Sequence, residues 1–253
     1  MLEVKNLCAG YKGREIIHDI SLEAERGHFF CIIGPNGCGK TTLLKSIARI
    51  IPCKGDILLD GLSLKGLKRR ALAQKISFLA QSSELYFPYT VYDTVALGCY
   101  ASAGPFPAAN LKKEEKAKIE SVLATLNLQD IQDSLITELS GGQVQRVYLA
   151  RSLVQDPEVI LLDEPTNHLD LKYQTELLQF LVEWAASKNR IVIGVLHDLN
   201  LAATYGQRIA LINDGRLCAL GPANEVLNNK VIEEIYGMNV KKFMTESYKR
   251  WGE

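Results

Sequence analysis

Residues 29–44 read Phe29-Phe30-Cys31-Ile32-Ile33-Gly34-Pro35-Asn36-Gly37-Cys38-Gly39-Lys40-Thr41-Thr42-Leu43-Leu44. Five apolar residues run into G-x-x-x-x-G-K-T, and a helix-forming stretch follows. That is a strand, a phosphate-binding loop and the start of a helix, in the order the loop needs. Backbone amides at a helix N-terminus point at anions, and the helix dipole favours negative charge there. The glycines let the backbone approach a phosphate with no side chain in the way. In this pattern Lys40 is expected to contact the β- and γ-phosphates of a nucleotide, and the Thr41 hydroxyl to ligate Mg²⁺. Gly34, Pro35, Asn36, Gly37, Cys38, Gly39, Lys40, Thr41 and Thr42 together form the candidate nucleotide cradle.

Outward from this stretch, apolar runs rich in β-branched residues recur at Ile57–Leu59, Ile76–Ala80, Val159–Leu162, Ile191–Leu196 and Ile209–Ile212. Near-continuous apolarity predicts strands buried on both faces, as in a parallel sheet covered by helices. Helical spacing lies between them. Ile119, Val122, Leu123 and Leu126 fall at i, i+3, i+4 and i+7, behind a charged run at Lys112–Lys118 that reads as a solvated helix face. Leu177, Leu181 and Trp184 repeat the spacing as core positions. From about 86 to 155 the strand signal disappears, and Ala101–Asn110, with Gly104, Pro105 and Pro107, reads as a loop. The expected organisation is an α/β core over about 1–85 and 156–220, a mostly helical subdomain over about 86–155, and a short helical tail over about 221–253.

Two further stretches carry chemistry. Val159-Ile160-Leu161-Leu162-Asp163-Glu164 is an apolar strand ending in two carboxylates, and strand ends are where open α/β sheets place their chemistry. Asp163 fits a Mg²⁺ partner acting through water, and Glu164 fits a general base that polarises an attacking water. Upstream of them stands Leu139-Ser140-Gly141-Gly142-Gln143. It is expected to open a helix through Val144–Leu153, so its amides and the Ser140 hydroxyl form a second anion cradle.

The LSGGQ pentapeptide, the phosphate loop and the Asp163-Glu164 pair together resemble the ATP-binding cassette (ABC) ATPases over nearly the whole chain. The resemblance implies a phosphate-loop NTPase fold, α/β with an inserted helical subdomain, and ATP with Mg²⁺ as ligands. It also implies roles for further positions. Tyr11 stands about where the family's adenine-stacking aromatic lies. Gln81 matches the glutamine that contacts Mg²⁺ and water and senses the membrane partner, although Ala80 before it is often Pro in relatives. Asp170 in Asn167-His168-Leu169-Asp170 matches the D-loop, which crosses to the other subunit. His197 in Val195-Leu196-His197-Asp198 matches the histidine that holds the γ-phosphate. Ser140, Gly141, Gly142 and Gln143 are expected to bind the γ-phosphate of ATP held by a second subunit, so that ATP joins two chains and hydrolysis releases them. His18, His28 and His168 have no such placement and read as ordinary histidines.

Within the family, Gln81–Gly98, His197–Ala203 and the tail residues Ile235-Tyr236-Gly237 resemble the importer ATPases for ferric siderophores, haem and vitamin B12. Zinc, manganese, molybdate and tungstate importers share parts of this pattern. The implied partners are a second, identical ATPase subunit, an integral membrane permease and, indirectly, an extracytoplasmic substrate-binding protein. The implied location is peripheral, on the cytoplasmic face of the cell membrane. A soluble ABC ATPase of the iron–sulfur assembly type is the alternative. A phosphate-loop kinase is disfavoured by LSGGQ.

Bulk properties agree with this picture. The chain has 253 residues, 47% of them hydrophobic and 23% charged, which is enough for a sizeable core. Its formal net charge is zero, so no global basic excess favours nucleic acid as a partner. The start, Met1-Leu2-Glu3-Val4-Lys5, lacks the apolar core of a signal peptide, and no run of ~18 uncharged apolar residues suggests a membrane span. None of the six cysteines forms a C-x-x-C pair, and free thiols are expected. Cys38 lies inside the loop, where converging amides and Lys40 are expected to lower its pKa and where bound ATP should shield it from alkylation.

Overall fold

The computed structural model describes residues 1–80, 88–103, 111–167, 169–228, 230–249 and 252. The chain divides into two units, one of residues 1–65 with 179–253 and one of residues 66–178.

In the first unit, β3 (Phe29–Ile33) and β8 (Ile191–Val195) are buried at every position. They run parallel, with Phe29 opposite Val192. On the other side of β3 lies β9 (Arg208–Asn213), also parallel, with Phe30 opposite Arg208. The antiparallel strand β10 (Arg216–Gly221) forms the edge, giving the order β10-β9-β3-β8. Burial on both faces explains why β3 and β8 read as unbroken apolar runs. Helices α1 (Lys40–Ile47) and α8 (Leu199–Tyr205) follow β3 and β8 respectively, as a doubly wound arrangement requires.

The same unit carries a second, antiparallel sheet in the order β2-β1-β4-β5. Its strands are β1 (Leu2–Tyr11), β2 (Arg14–Ala24), β4 (Cys53–Leu59) and β5 (Leu62–Ser63). Sequence reading anticipated only part of β4. The reason is local. The β1–β2 register shifts between Val4 and Leu7, again before Ala9 and again before Gly10, and Asn6 has a positive φ of 50°. Each shift resets the alternation of inward and outward side chains, so no clean period of two survives in β1. The tail forms α9 (Ala223–Leu227), α10 (Lys230–Tyr236) and α11 (Val240–Lys249), and α9 packs on β9, β10 and α8.

In the second unit, β6 (Ile76–Leu79) and β7 (Val159–Leu162) pair in parallel, with Ile76 opposite Val159. The other elements are helical: α2 (Arg69–Ala73), α3 (Val91–Ala96), α4 (Tyr100–Ala103), α5 (Lys113–Thr125), α6 (Gly141–Val154) and the first part of α7 (Leu171–Lys188). Thr90 caps α3, its hydroxyl oxygen accepting the Asp93 amide at 3.0 Å. The predicted stripe on α5 faces inward, with Ile119 and Leu123 buried and Leu126 buried just past the helix end. Helix α6 packs against α3, α5 and β6 through Val147, Leu149 and Ala150, all fully buried. Each such Leu or Ile contributes roughly 1.5–3 kcal/mol by leaving water. Among the described residues no helix is long and apolar enough to cross a membrane.

Candidate functional site

The loop after β3 is shaped by contacts a larger residue would break. A Cβ on Gly34 (φ 148°) would lie 2.0 Å from the Ile212 carbonyl oxygen, so the loop sits directly on the end of β9. Gly39 (φ 106°) caps α1 with no capping side chain, and no acidic residue occupies the first turn of that helix. The positive end of the helix is therefore left for an external anion. Gly37 (φ 79°) has open space where a Cβ would stand. Lys40 is buried, and its ammonium donates to the Gly34 and Pro35 carbonyls, each at 2.8 Å. The cation thus curls inside the loop it would serve. Thr42 is buried beneath the loop, and Asn36 and Gly37 are exposed at its crest.

The turn between β9 and β10 locks this loop to β2. Gly215 donates to the Cys38 carbonyl at 2.9 Å and accepts the His18 amide at 2.8 Å. Beside it, Arg14, Glu15, Ile16, His18, Gly37, Cys38, Asp214 and Gly215 line a cleft of about 430 Å³. His18 and Glu15 pair across its wall at 2.9 Å. Tyr11 ends β1 opposite Arg14, across a two-residue turn whose Lys12 and Gly13 both have positive φ, at 48° and 82°. That turn suits the twist of a hairpin and leaves Tyr11 exposed.

Cys38 departs from its sequence expectation. Its thiol pKa is raised rather than lowered. Burial is the largest cause, and the charge of Lys40, 4.0 Å from the sulfur, offsets it only in part. All six cysteines are free thiols. In the same unit, His197 is exposed just after β8, and Asp198 caps α8 by accepting the Asn200 and Leu201 amides at 2.7 and 3.3 Å.

In the second unit, Asp163 follows β7 and is buried, and its amide extends the parallel ladder to the Leu79 carbonyl. Glu164 adopts a positive φ of 55° and accepts a hydrogen bond from the Asn167 side-chain amide. A non-glycine residue held there is uncommon and marks a backbone constrained by its surroundings. Ser140 and Gln143 form a reciprocal capping box at the start of α6. The Ser140 hydroxyl accepts the Gln143 amide at 3.4 Å, and the Gln143 side-chain oxygen accepts the Ser140 amide at 2.9 Å. Gly141 has open space around its Cα, and a Cβ on Gly142 would touch Leu169 at 3.5 Å.

Sequence reading missed the contacts that tie these pieces together. Gln145, two residues into the helix from the capping box, donates to the Pro165 carbonyl at 3.0 Å, directly after Glu164. Gln174 donates to the Thr166 and Leu169 carbonyls at 3.2 and 2.9 Å. Asp170 accepts the Tyr173 amide at 3.0 Å and so caps α7. The Arg146 guanidinium lies 5.2 Å from the centre of the Tyr173 ring. Nothing in the sequence spacing distinguishes these polar residues from solvated ones. Gln81 and His168 lie outside the described residues.

Comparison with known proteins agrees with this arrangement. Residues 17–167 match the family described as ABC transporter. The petrobactin import ATP-binding protein YclP of Bacillus subtilis (strain 168) is 34% identical over 241 residues, covering 95% of this chain and 94% of its own. The hemin import ATP-binding protein HmuV of Rhizobium meliloti (strain 1021) is 33% identical over 250 residues, covering 95% and 93%. A bacterial ABC transporter cassette solved as a dimer is 28% identical with a TM-score of 0.76, covering 88% of this chain and 99% of its own. The chain belongs to the ABC transporter family, among the ATP-binding proteins whose ATPase activity is coupled to transport.

Proposed function

We propose that this chain is the peripheral ATPase subunit of an importer for a metal chelate, a ferric siderophore or haem. It would act as a pair of identical copies on the cytoplasmic face of a membrane permease fed by an extracytoplasmic binding protein. The observation that carries the reading is the presence, in one chain, of two anion cradles at helix N-termini. One is the Lys40 loop, and the other is the Ser140–Gln143 box on α6. The names of the petrobactin and hemin import relatives support the substrate class, and the dimeric cassette supports the pairing.

In this reading Tyr11 stacks on adenine, and residues Gly34 to Thr42 hold the triphosphate of ATP. Lys40 exchanges its bonds to the Gly34 and Pro35 carbonyls for bonds to phosphate oxygens, a swap of like for like that costs little desolvation. Glu164 orients and deprotonates the attacking water. His197 holds the γ-phosphate, and Ser140, Gly141, Gly142 and Gln143 receive that phosphate from the partner's nucleotide. Asp170 crosses towards the partner. Mg²⁺ bound with ATP would neutralise developing phosphate charge, and Thr41, Asp163 and Gln81 are the residues suited to hold it. Thr41 and Asp163 offer hard oxygen donors, which is the chemistry Mg²⁺ prefers. ATP favours the joined pair and hydrolysis the separated one, a two-state element that a permease can follow.

The test is co-purification of the Glu164→Gln chain with ATP from membranes solubilised in mild detergent. Recovery of a polytopic permease is expected, and its identity would narrow the substrate. Recovery of soluble partners only would overturn the transport reading in favour of a soluble ABC ATPase.

A further inference from the structure

Glu164 opens a turn that its own backbone holds weakly. After Asp163 the chain leaves the β7 ladder, and Glu164 takes a positive φ of 55°. Pro165 follows, and proline has no N–H to donate. The bonds this turn makes to itself are long. The Asn167 amide reaches the Glu164 carbonyl at 3.2 Å, and the Leu169 amide reaches the Thr166 carbonyl at 3.3 Å. Pro165 and Thr166 are nevertheless buried, so their carbonyls need donors.

Two side-chain amides supply them. Gln145, on the second turn of α6, donates to the Pro165 carbonyl at 3.0 Å. Gln174, the fourth residue of α7, donates to the Thr166 and Leu169 carbonyls at 3.2 and 2.9 Å. A glutamine amide nitrogen carries two hydrogens, and Gln174 directs both at this turn. The turn in its wake holds the carboxylate, because the Asn167 side-chain amide donates to Glu164. The starts of α6 and α7 approach each other at the same place. A Cβ on Gly142 would lie 3.5 Å from Leu169 and 3.9 Å from Tyr173, and the Arg146 guanidinium covers the Tyr173 ring.

We propose that Gln145 and Gln174 are positioning residues for Glu164. Through the Pro165, Thr166 and Leu169 carbonyls they fix the peptide that aims its carboxylate. The inference rests on the reading of Glu164 as the base that deprotonates the attacking water. A base acts only within hydrogen-bond reach of its proton. Displacing it by about 1 Å through a change elsewhere can cost ~100-fold in rate.

The test compares Gln145→Met and Gln174→Met, which keep the side-chain length and remove the amide, with Gln155→Met. Gln155 directly follows α6 and donates to the Ile76 carbonyl at 3.0 Å, the same kind of bond at the far end of the same helix. Three quantities are read: hydrogen exchange of residues 164–170 without nucleotide, and the Kd and kcat for ATP. Gln145→Met and Gln174→Met are each expected to speed that exchange several-fold and to lower kcat about 10-fold, with Kd within about twofold. Gln155→Met should leave the exchange unchanged and kcat within about twofold of wild type. In a Glu164→Gln background, Gln145→Met should alter the single-turnover rate by less than about twofold, because no base remains to be positioned. Exchange or kcat at the wild-type level in both variants, an equal fall in kcat in Gln155→Met, or an undiminished effect of Gln145→Met on Glu164→Gln would overturn the positioning role. Should Gln145→Met fail to fold, Gln174→Met decides in its place, alone and in the Glu164→Gln background. The exchange readout needs no ATP, so it tests the hold on the turn independently. Turnover at the wild-type rate by Glu164→Gln alone would instead overturn the base assignment.

Discussion

Replacing Gly215 with Ala tests whether the β9–β10 turn holds the phosphate loop in place. Gly215 has a φ of 69°, and a Cβ there would lie 1.7 Å from the Ile16 carbonyl oxygen, a distance no real contact tolerates. Placing an L-residue in the left-handed region costs about 1–2 kcal/mol by itself. The forced shift would also stretch the two hydrogen bonds through this residue, to Cys38 and from His18, at roughly 1 kcal/mol each. The sum is about 3–4 kcal/mol, or a fall in Tm of roughly 6–16 °C for a chain of this size. Gly13 is the control. It has a φ of 82° and nothing within 4 Å of the point a Cβ would occupy, so Gly13→Ala bears only the backbone cost of about 1–2 kcal/mol. Thermal unfolding of both variants, with ATP affinity measured alongside, separates steric clash from backbone strain. Gly215→Ala should be the less stable by about 2 kcal/mol, the share of the two stretched bonds, and should bind ATP more weakly. Equal losses of stability in the two variants would refute the contact argument.

Two further predictions follow from charge and burial. The Cys38 thiol is raised by burial, so alkylation should be slow at neutral pH, should accelerate as pH rises, and should be suppressed by ATP; equal rates with and without ATP would contradict the placement of nucleotide over Cys38. Asp60 is hydrogen-bonded to Arg26 and to the amino terminus, which hold its carboxyl well below the usual range. A carboxyl depressed in the folded state stabilises above its unfolded pKa of about 3.9, and the benefit fades as pH falls through that value towards the folded one. Asp60→Asn should therefore cost about 0.5–1 kcal/mol at pH 7, a figure discounted because the side chain is 47% exposed, and progressively less in acid. Urea unfolding at pH 7 and pH 3 reads the difference; a constant penalty at both would rule out the ion pair as its cause.

The legible parts of the fold were those where one physical requirement dominates the residue choice. Strands β3, β7 and β8 are buried on both faces, so every position is apolar and their limits can be read to within a residue. The phosphate loop and the Ser140 box carry residue types that few other backbones need. In β1, by contrast, Asn6 and the register shifts around Leu7 break the alternation, and the strand exposes one face, so its apolar residues look scattered. The missed ties at Gln145, Gln174 and Arg146 are polar residues whose partners are backbone carbonyls or a ring distant in sequence. For Cys38, neighbouring charge was legible but burial was not, and burial dominates.

The central claim is that ATP joins two copies of this chain and that Glu164 is needed to separate them. The most direct measurement is the solution mass of Glu164→Gln by light scattering, with and without Mg·ATP. The account predicts a mass that doubles with ATP and stays doubled, because nucleotide is bound but not turned over, and that returns to the single-chain value in a Glu164→Gln, Ser140→Arg double variant. ATP binding without any change in mass, or ATP turnover at the wild-type rate by Glu164→Gln, would contradict it.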